Sequence, residues 1–411
     1  MSFLPRAAAA ATVVAVAAAS PAAADWTPPT TLSTADEANP IAQGAFGGSV
    51  VLGWFEPTAA VSKRLGPPAE ITAADPHETV WAGRLDAKGN AVVLTVRRHK
   101  PVRRVRAIFV SADGERSRAR TISDRSHTAT GPVLSVAPDG TAVAAWAWHD
   151  PKGWRAQAAI RRPGEPGFGK PQTISTPAEQ RPHLRVAAGD GGRAVVTWQH
   201  QPGRAHVLSA GPDGTLGNDQ ELPASDNYAD IAVAVGADGA VQLAYLGGRS
   251  LRVTQGTAGQ PLPEPAVLST GGKGTSSGEQ VATAFSADGS ATVAWAKPGS
   301  SYEQGGTLEV FTRAAGGPFG GPQTLGEKAQ GIQLAGGPGN AAALAWMTDD
   351  HVVYAATRAS GEFAPAARLS PPGPNALWPS IAMTDAGKAI AVWVTNTGGG
   401  GSGSPTAAMT R

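Results

Sequence analysis

Short apolar runs alternate with Gly-rich polar turns along most of the chain. The stretch SVAPDGTAVAAWAWHD, Ser135 to Asp150, contains an apolar run, an Asp-Gly turn and a second apolar run that reaches Trp146. Related stretches are VAAGDGGRAVVTWQH, which ends at His200, and TAFSADGSATVAWAK, which ends at Lys297. Apolar runs of this length on either side of an Asp-Gly turn predict β-hairpins.

The turn glycine marks a repeat, because an aromatic residue stands six positions after it in six of the eight copies. The glycines that number repeats 1 to 8 are Gly48, Gly89, Gly140, Gly192, Gly239, Gly289, Gly339 and Gly387, at spacings of 41 to 52 residues. In the same order, the residues six or seven positions later are Trp54, Thr95, Trp146, Trp198, Tyr245, Trp295, Trp346 and Trp393. A period of about 40 to 50 residues with several strands per copy predicts the blades of a β-propeller.

Each repeat continues with two more predicted strands, so that it holds four, here called a, b, c and d. The last of them reads GFGKPQTIS up to Ser175, PFGGPQTLG up to Gly326 and EFAPAARLS up to Ser370. Proline cannot donate a ladder hydrogen bond, so its recurrence in strand d places that strand at the outer edge. Strands a and b are apolar on both faces, as expected of sheets packed between neighbouring sheets.

The two ends of the chain predict how the ring closes. The segment Asp25 to Ser33, DWTPPTTLS, has the pattern of strand d, whereas the last repeat supplies strands a, b and c. We therefore expect an all-β fold, a single closed β-propeller of eight four-stranded blades, in which the N-terminal strand completes the last blade. A seven-bladed ring is the alternative, because the first spacing of 41 residues is short enough for a degenerate copy.

Residues 1–24 have the pattern of a secretory signal peptide, which leaves residues 25–411 as the propeller. Arg6 precedes an apolar run from Ala7 to Ala19, and small residues stand at Ala22 and Ala24. The run is shorter than the roughly 20 residues of a membrane-spanning helix. We therefore expect a secreted protein without a membrane span. Because the chain has no cysteine, disulfides, Cys-ligated zinc and thiol catalysis are excluded.

The consensus P-x-x-A-V-x-x-D-G-x-A-x-V-A-W, followed by R-x-x-G-x-F-G-x-P-Q-x-L-S, resembles that of secreted β-propeller repeat proteins of actinobacterial type. These are sialidase-like propellers without Asp-boxes. The resemblance covers essentially all of residues 25–411 and implies the fold and export, but the family has no settled activity. Sialidase chemistry is not expected, because the Ser-x-Asp-x-Gly-x-Thr-Trp box is absent and Tyr245 occupies a core position.

The b–c and d–a loops differ from repeat to repeat, and they lie at the same end of the predicted propeller. Variable loops on a rigid scaffold are where ligands usually bind. The candidate ligand-binding residues of this end are Trp378, Tyr228, His77, His127, His149, Asp150, His183, His200, Asp349 and Asp350. The competing interpretation is that exposed loops simply collect polar residues. The Trp series of strand b is interpreted as core, and Trp378, in a Pro- and Gly-rich d–a loop, as an exposed contact.

The sequence favours a non-catalytic, monomeric binding module for an extracellular glycan or cell-wall polymer. A glycan hydrolase or lyase and a protein-interaction scaffold are the alternatives. The loop carboxylates that an enzyme could use are Glu78, Asp124, Asp226, Asp230 and Glu279, and no spacing singles out a pair. No phosphate loop, nucleophile elbow or His-Glu-x-x-His occurs, so neither a metal nor a cofactor is expected. The net charge of +2 and the single basic run, Arg97 to Arg106, do not favour nucleic acid.

Overall fold

Antiparallel hairpins build the protein. The computed structural model describes residues 24–31, 39–45, 49–56, 59–64, 71–74, 78–99, 102–113, 115–200, 204–223, 230–247, 249–271, 280–298, 305–371, 376–395 and 404–410. Within these ranges the fold is all-β, and the one helical segment is a 3-10 turn, Asp190–Gly192. None of the described residues form a helix long and apolar enough to cross a membrane.

The strands of the N-terminal half fall into the predicted repeats. Before repeat 1 comes β1 (Thr30–Thr31). Repeat 1 contains β2 (Asn39–Ala45), β3 (Ser49–Glu56), β4 (Ala59–Arg64) and β5 (Ile71–Ala74), and repeat 2 contains β6 (Glu78–Leu85), β7 (Ala91–His99), β8 (Val102–Val110) and β9 (Arg120–Thr121). Repeat 3 contains β10 (Thr128–Val136), β11 (Ala142–Asp150), β12 (Gly153–Arg161) and β13 (Gln172–Thr173), and repeat 4 contains β14 (His183–Ala188), β15 (Ala194–Gln199), β16 (Ala205–Ala210) and β17 (Leu216–Glu221).

The C-terminal half continues in the same order. Repeat 5 contains β18 (Ile231–Val235), β19 (Ala240–Gly247), β20 (Ser250–Thr257) and β21 (Ala266–Thr270), and repeat 6 contains β22 (Val281–Phe285), β23 (Ala291–Lys297), β24 (Gly306–Arg313) and the first part of β25 (Gly320–Gly336). Repeat 7 contains the second part of β25, β26 (Ala342–Thr348), β27 (Val353–Arg358) and β28 (Ala367–Arg368), and repeat 8 contains β29 (Ala376–Met383), β30 (Ala389–Thr395) and β31 (Ser404–Met409).

Each repeat forms an antiparallel sheet in the order a, b, c, d. Repeats 6 and 7 are joined, because β25 pairs with β24 through its first part and with β26 through its second. The first strands of consecutive repeats lie against one another from β2 to β29, and β29 also lies against β2. This is the arrangement of a β-propeller, with the first strand of every sheet innermost.

The N-terminal strand pairs with the last repeat. Thr30 and Thr31 of β1 lie opposite Ala407 and Thr406 of β31, and Trp26 forms a further bridge to Thr410. The segment therefore takes, in the repeat 8 sheet, the outer place that strand d takes elsewhere.

The aromatic residues of strand b in repeats 3 to 8 are core, as the sequence predicts. Trp146, Trp198, Tyr245, Trp295, Trp346 and Trp393 are at most 5% exposed. The Trp146 indole N–H donates to the side chain of Gln157 over 3.0 Å, and the Tyr245 hydroxyl donates to the backbone oxygen of Pro223. Burial raises the pKa of Tyr245 to about 12. These rings fill the space between neighbouring sheets and are not available to a ligand.

The Asp-Gly turns between strands a and b have a local cause. Gly140 has a φ of 93°, a left-handed value that favours glycine. The Asp139 carboxylate closes the turn by accepting from the Thr141 backbone N–H over 2.7 Å. The same aspartate bond recurs in the turns at Asp238 and Asp288.

A glutamine of strand d links consecutive sheets. The Gln323 side chain donates to the backbone oxygen of Phe363 over 2.8 Å and accepts from its N–H over 2.9 Å, so that repeat 6 is fastened to repeat 7. Gln220 makes the same pair of bonds across repeats 4 and 5, and Gln172 makes one of them across repeats 3 and 4. Sheet-to-sheet spacing is therefore fixed at the outer edge as well as in the core.

Candidate functional site

The predicted site residues within the described ranges lie at one end of the sheets, where the b–c turns and d–a connections meet. His127 and His183 stand at the start of strand a in repeats 3 and 4, His149 and Asp150 end β11, and His200 follows β15. Asp349 and Asp350 form the b–c turn of repeat 7. His77 and Tyr228 lie outside the described residues. The end that carries these residues is called the d–a face below.

Trp378 is the most exposed large apolar side chain in the described part of the chain, at 51%. The expectation that it stands in a loop is wrong, because strand a begins earlier and Trp378 lies within β29. The register of β29 against β30 shifts between Leu377 and Ser380, so that one extra residue bulges from the innermost strand. The predicted exposure is confirmed.

The backbone at Trp378 has a φ of 50°, which lies in the left-handed region that non-glycine residues seldom adopt. Strand a of repeats 3 and 7 has the same register shift, and there Gly131 and Gly331 adopt φ values of 61° and 60°. Repeat 8 thus places a tryptophan where two other repeats place glycine. A bulky residue in this conformation costs roughly 1–3 kcal/mol and is often retained for function.

Trp81 is a second exposed tryptophan, and its exposure is not predicted by the repeat pattern. It is 45% exposed and lies in β6 between Val80 and Ala82, where the register against β7 shifts. Strand β2 lies against both β6 and β29, so the two strands that bear exposed tryptophans flank one innermost strand. The sequence feature that could have indicated this exposure is the position of Trp81 early in strand a, which Trp378 shares.

In repeat 3 the predicted histidines lie against tryptophans. The ring of His127 meets Trp148 edge-on at 4.9 Å between centroids, and His149 meets Trp154 at 4.8 Å. Arg155 lies over Trp148, 5.9 Å from the ring centroid, and bonds the Asp150 carboxylate over 3.0 Å. Burial opposes ionisation of Asp150, but the Lys152 backbone N–H and the Arg155 charge together lower its pKa.

In repeat 4 the histidines surround the core tryptophan Trp198. His206 stacks on its indole at 4.0 Å, and His200 meets its edge at 5.4 Å. The His200 Nδ1 lies 2.9 Å from the Gln180 carbonyl oxygen, so Nδ1 carries the proton, since a carbonyl only accepts. Burial lowers the pKa of His200, although its hydrogen bonds oppose the shift. His200 therefore has a packing role and is not a free ligand group.

The other predicted groups are not brought into one cluster with these histidines. Gln330 donates to the Asp349 carboxylate over 3.3 Å within repeat 7, and Asp350 and His183 are exposed. Asp230 accepts from the Val281 backbone N–H over 2.9 Å and also from that of Gln280. Within the described ranges no three His, Asp or Glu side chains are placed to hold a metal ion.

A cavity of about 200 Å³ lies among the innermost strands of repeats 4 to 7. Its polar lining residues are Arg185, Asp230, Thr283 and Gln333. Asp230 stands directly before its strand, at the d–a face, whereas the other three lie within their strands. A larger cavity lies at the opposite end of the sheets, where the sequence predicts only short, regular turns.

No protein-family model matches the chain, and no curated protein matches it in sequence. Solved structures do match. A lectin named BP39L from Burkholderia pseudomallei is similar over 83% of this chain and 100% of its own, at 14% identity and a TM-score of 0.55. The WD40 domain of SCAP from fission yeast is similar over 93% and 97%, at 8% identity and a TM-score of 0.51. At these identities the likeness shows the β-propeller fold alone.

Proposed function

We propose that this protein is a secreted, non-catalytic binding module of the actinobacterial propeller type, which holds a carbohydrate or cell-wall polymer on its d–a face. One observation carries the proposal. Trp378 is half exposed and occupies a strained backbone position that other repeats give to glycine. Glycine would relieve the strain, so retention of an exposed indole there is best explained by a contact with a ligand.

Trp81 extends the same surface. A flat indole packs against the apolar C–H face of a sugar ring, while neighbouring polar groups bond its hydroxyls. Two exposed indoles on strands that flank β2 suit a ligand longer than one sugar ring, such as a polymer. The similarity to a lectin propeller agrees with this ligand class.

The architecture that we propose for this module is a monomeric, closed ring of eight four-stranded blades. Its support is the pairing of β1 with β31 and the contact of β29 with β2. Such a ring has no open sheet edge between first and last blades. It places the start of strand a of every repeat around one mouth, where a polymer could contact several repeats.

Three of the loop carboxylates whose side chains the structure describes favour binding over hydrolysis, whereas Asp226, Glu279 and the Glu78 side chain lie outside the described part of the chain. Asp150 is paired with Arg155, Asp230 accepts two backbone N–H groups, and Asp124 accepts from the Ser126 backbone N–H. Each is used within the protein. Hydrogen bonds from Ser126 lower the pKa of Asp124, which is the opposite of what a general acid requires.

A glycan array on residues 25–411, which includes bacterial cell-wall fragments, tests the proposal. We expect binding of a glycan subset that is reduced at least about tenfold in Trp81→Ala and Trp378→Ala, which corresponds to about 1.4 kcal/mol. Val267→Ala, at an exposed apolar residue in β21, is the matched control and should bind normally. Hits should be incubated with the protein and the products analysed for cleavage. Absence of any hit, or equal binding by the tryptophan variants, would overturn the proposal, and turnover would favour the hydrolase alternative.

A further inference from the structure

A larger cavity lies between repeats 2 and 3 at the end of the sheets opposite the d–a face. It has a volume of about 500 Å³, within the range of roughly 300–1,000 Å³ typical of small-molecule sites. Its walls are the a–b turn and c–d hairpin of repeat 2 and the strand ends of repeat 3. The lining residues that matter are Asp86, Asn90, Phe109, Glu115, Arg116 and Arg161.

Phe109 distinguishes this gap between sheets from the others. It pairs with Val92, which stands three positions before Thr95, the residue at the aromatic position of strand b. The equivalent residues of repeats 3 to 7 are Ile160, Ser209, Gln255, Thr312 and Thr357. Among repeats 2 to 7, as far as the structure describes them, repeat 2 alone has an aromatic ring at this position. The ring stands beside the cavity and gives it an apolar wall.

Arg161 stands beside Phe109 in the cavity lining and is held in place. Its Nη1 donates to the Gly140 carbonyl oxygen over 2.8 Å and its Nε to the Glu165 carbonyl oxygen over 2.9 Å. The guanidinium carbon lies 5.0 Å from the Phe109 ring centroid. Nη2 has no hydrogen-bond partner among the described residues, so the guanidinium retains donors for a ligand. Burial lowers the pKa of Arg161 from its ordinary value, and the Asp86 charge opposes the shift.

The remaining polar groups are balanced in charge. Asp86 and Glu115 contribute two carboxylates, and Arg116 and Arg161 contribute two guanidinium groups. Asp86 is buried and its carboxylate accepts from both the backbone and the side chain of Asn90, each over 2.8 Å. Such a lining offers hydrogen-bond donors and acceptors side by side, and its formal charges sum to zero. It therefore suits an uncharged ligand that is rich in hydroxyls.

We infer that this cavity is a second ligand site, for a neutral saccharide of one or two rings. The C–H face of the sugar packs on Phe109, and its hydroxyls bond Arg161 and the acidic groups of repeat 2. The site is independent of the tryptophans on the d–a face, because it lies at the other end of the sheets and is formed by different residues.

Saturation-transfer NMR on residues 25–411 with neutral pyranose mono- and disaccharides tests this site. Galactose, galacturonic acid and galactosamine form a matched neutral, anionic and cationic series. We expect neutral sugars to bind, with affinity reduced at least about tenfold in Phe109→Leu and Arg161→Gln. Trp81→Ala and Trp378→Ala should leave this binding unchanged, so that failure here is distinguishable from failure of the proposed polymer site.

The matched control is Arg358→Gln. Arg358 stands at the end of strand c in repeat 7, as Arg161 does in repeat 3, and its guanidinium lies 5.3 Å from the Phe363 ring centroid. It should therefore reproduce any loss of stability without a loss of binding. Melting curves identify variants that fail to fold, and Glu115→Gln, at an exposed rim residue, supplies a variant that leaves the core intact. The inference is overturned if no neutral sugar binds, if a charged sugar binds more tightly, or if folded cavity variants bind like the wild type.

Discussion

At the residue scale, the tryptophans fall into two groups that differ in burial and therefore in what their removal should do. Trp146→Ala deletes a fully buried ring and leaves the Gln157 side chain without its indole partner. We expect a loss of about 3–5 kcal/mol in the free energy of unfolding, with glycan binding by the folded fraction unchanged. Denaturant unfolding and a binding titration check this. A Trp146→Ala protein of normal stability that no longer binds would reverse our assignment of core and surface.

A second residue-scale prediction concerns the turns of repeats 3 and 4. The Asp190 carboxylate accepts from the Asp139 backbone N–H, and Asp139 accepts from that of Gly191. Burial, together with the neighbouring Asp139 charge, raises the pKa of Asp190, although Arg193 opposes the shift. Because the pKa of Asp190 is raised in the folded state, the protonated carboxyl stabilises the fold and its ionisation destabilises it. The stability that the protonated form contributes is fully present below the unfolded pKa and is lost as pH rises through the folded pKa.

Asp190→Asn should therefore raise the melting temperature at pH 7 and change it less at pH 3, where the wild-type carboxyl is protonated. Asp213→Asn is the control of opposite sign, because hydrogen bonds from Thr215 lower the pKa of Asp213. That substitution should lower the melting temperature at pH 7 and have little effect below the folded pKa. If Asp190→Asn destabilises the protein equally at both pH values, the carboxylate acts only through its hydrogen bond.

At the element scale, β1 is the strand whose role is most directly testable. Deleting Asp25 to Ser33 removes the pairs with Ala407 and Thr406 and the Thr27–Met409 bonds. Each lost hydrogen bond costs about 0.5–1.5 kcal/mol, and each kcal/mol lowers the melting temperature of a large domain by about 2–4 °C. We expect a fall of several degrees by calorimetry relative to residues 25–411. An unchanged melting temperature would show that β1 does not contribute to the last blade.

At the scale of the whole molecule, the repeat explains which features the sequence could predict. Trp146 and Trp393 recur at a fixed distance from the turn glycine, so their strand and burial followed from periodicity. Trp81 was missed because its exposure depends on a register shift in β6. The cavity at Phe109 and Arg161 was missed for another reason: its walls come from two repeats, and no pattern within one repeat reports how neighbouring sheets pack.

The central claim, that the d–a face binds a glycan through Trp378, is tested most directly by calorimetric titration of the best array glycan into wild type and Trp378→Gly. Glycine accepts the φ of 50° without strain, so the variant should unfold within about 1 kcal/mol of the wild type or be slightly more stable. We predict that this stable variant binds at least about tenfold more weakly. A Trp378→Gly protein with wild-type stability and wild-type affinity would contradict the account.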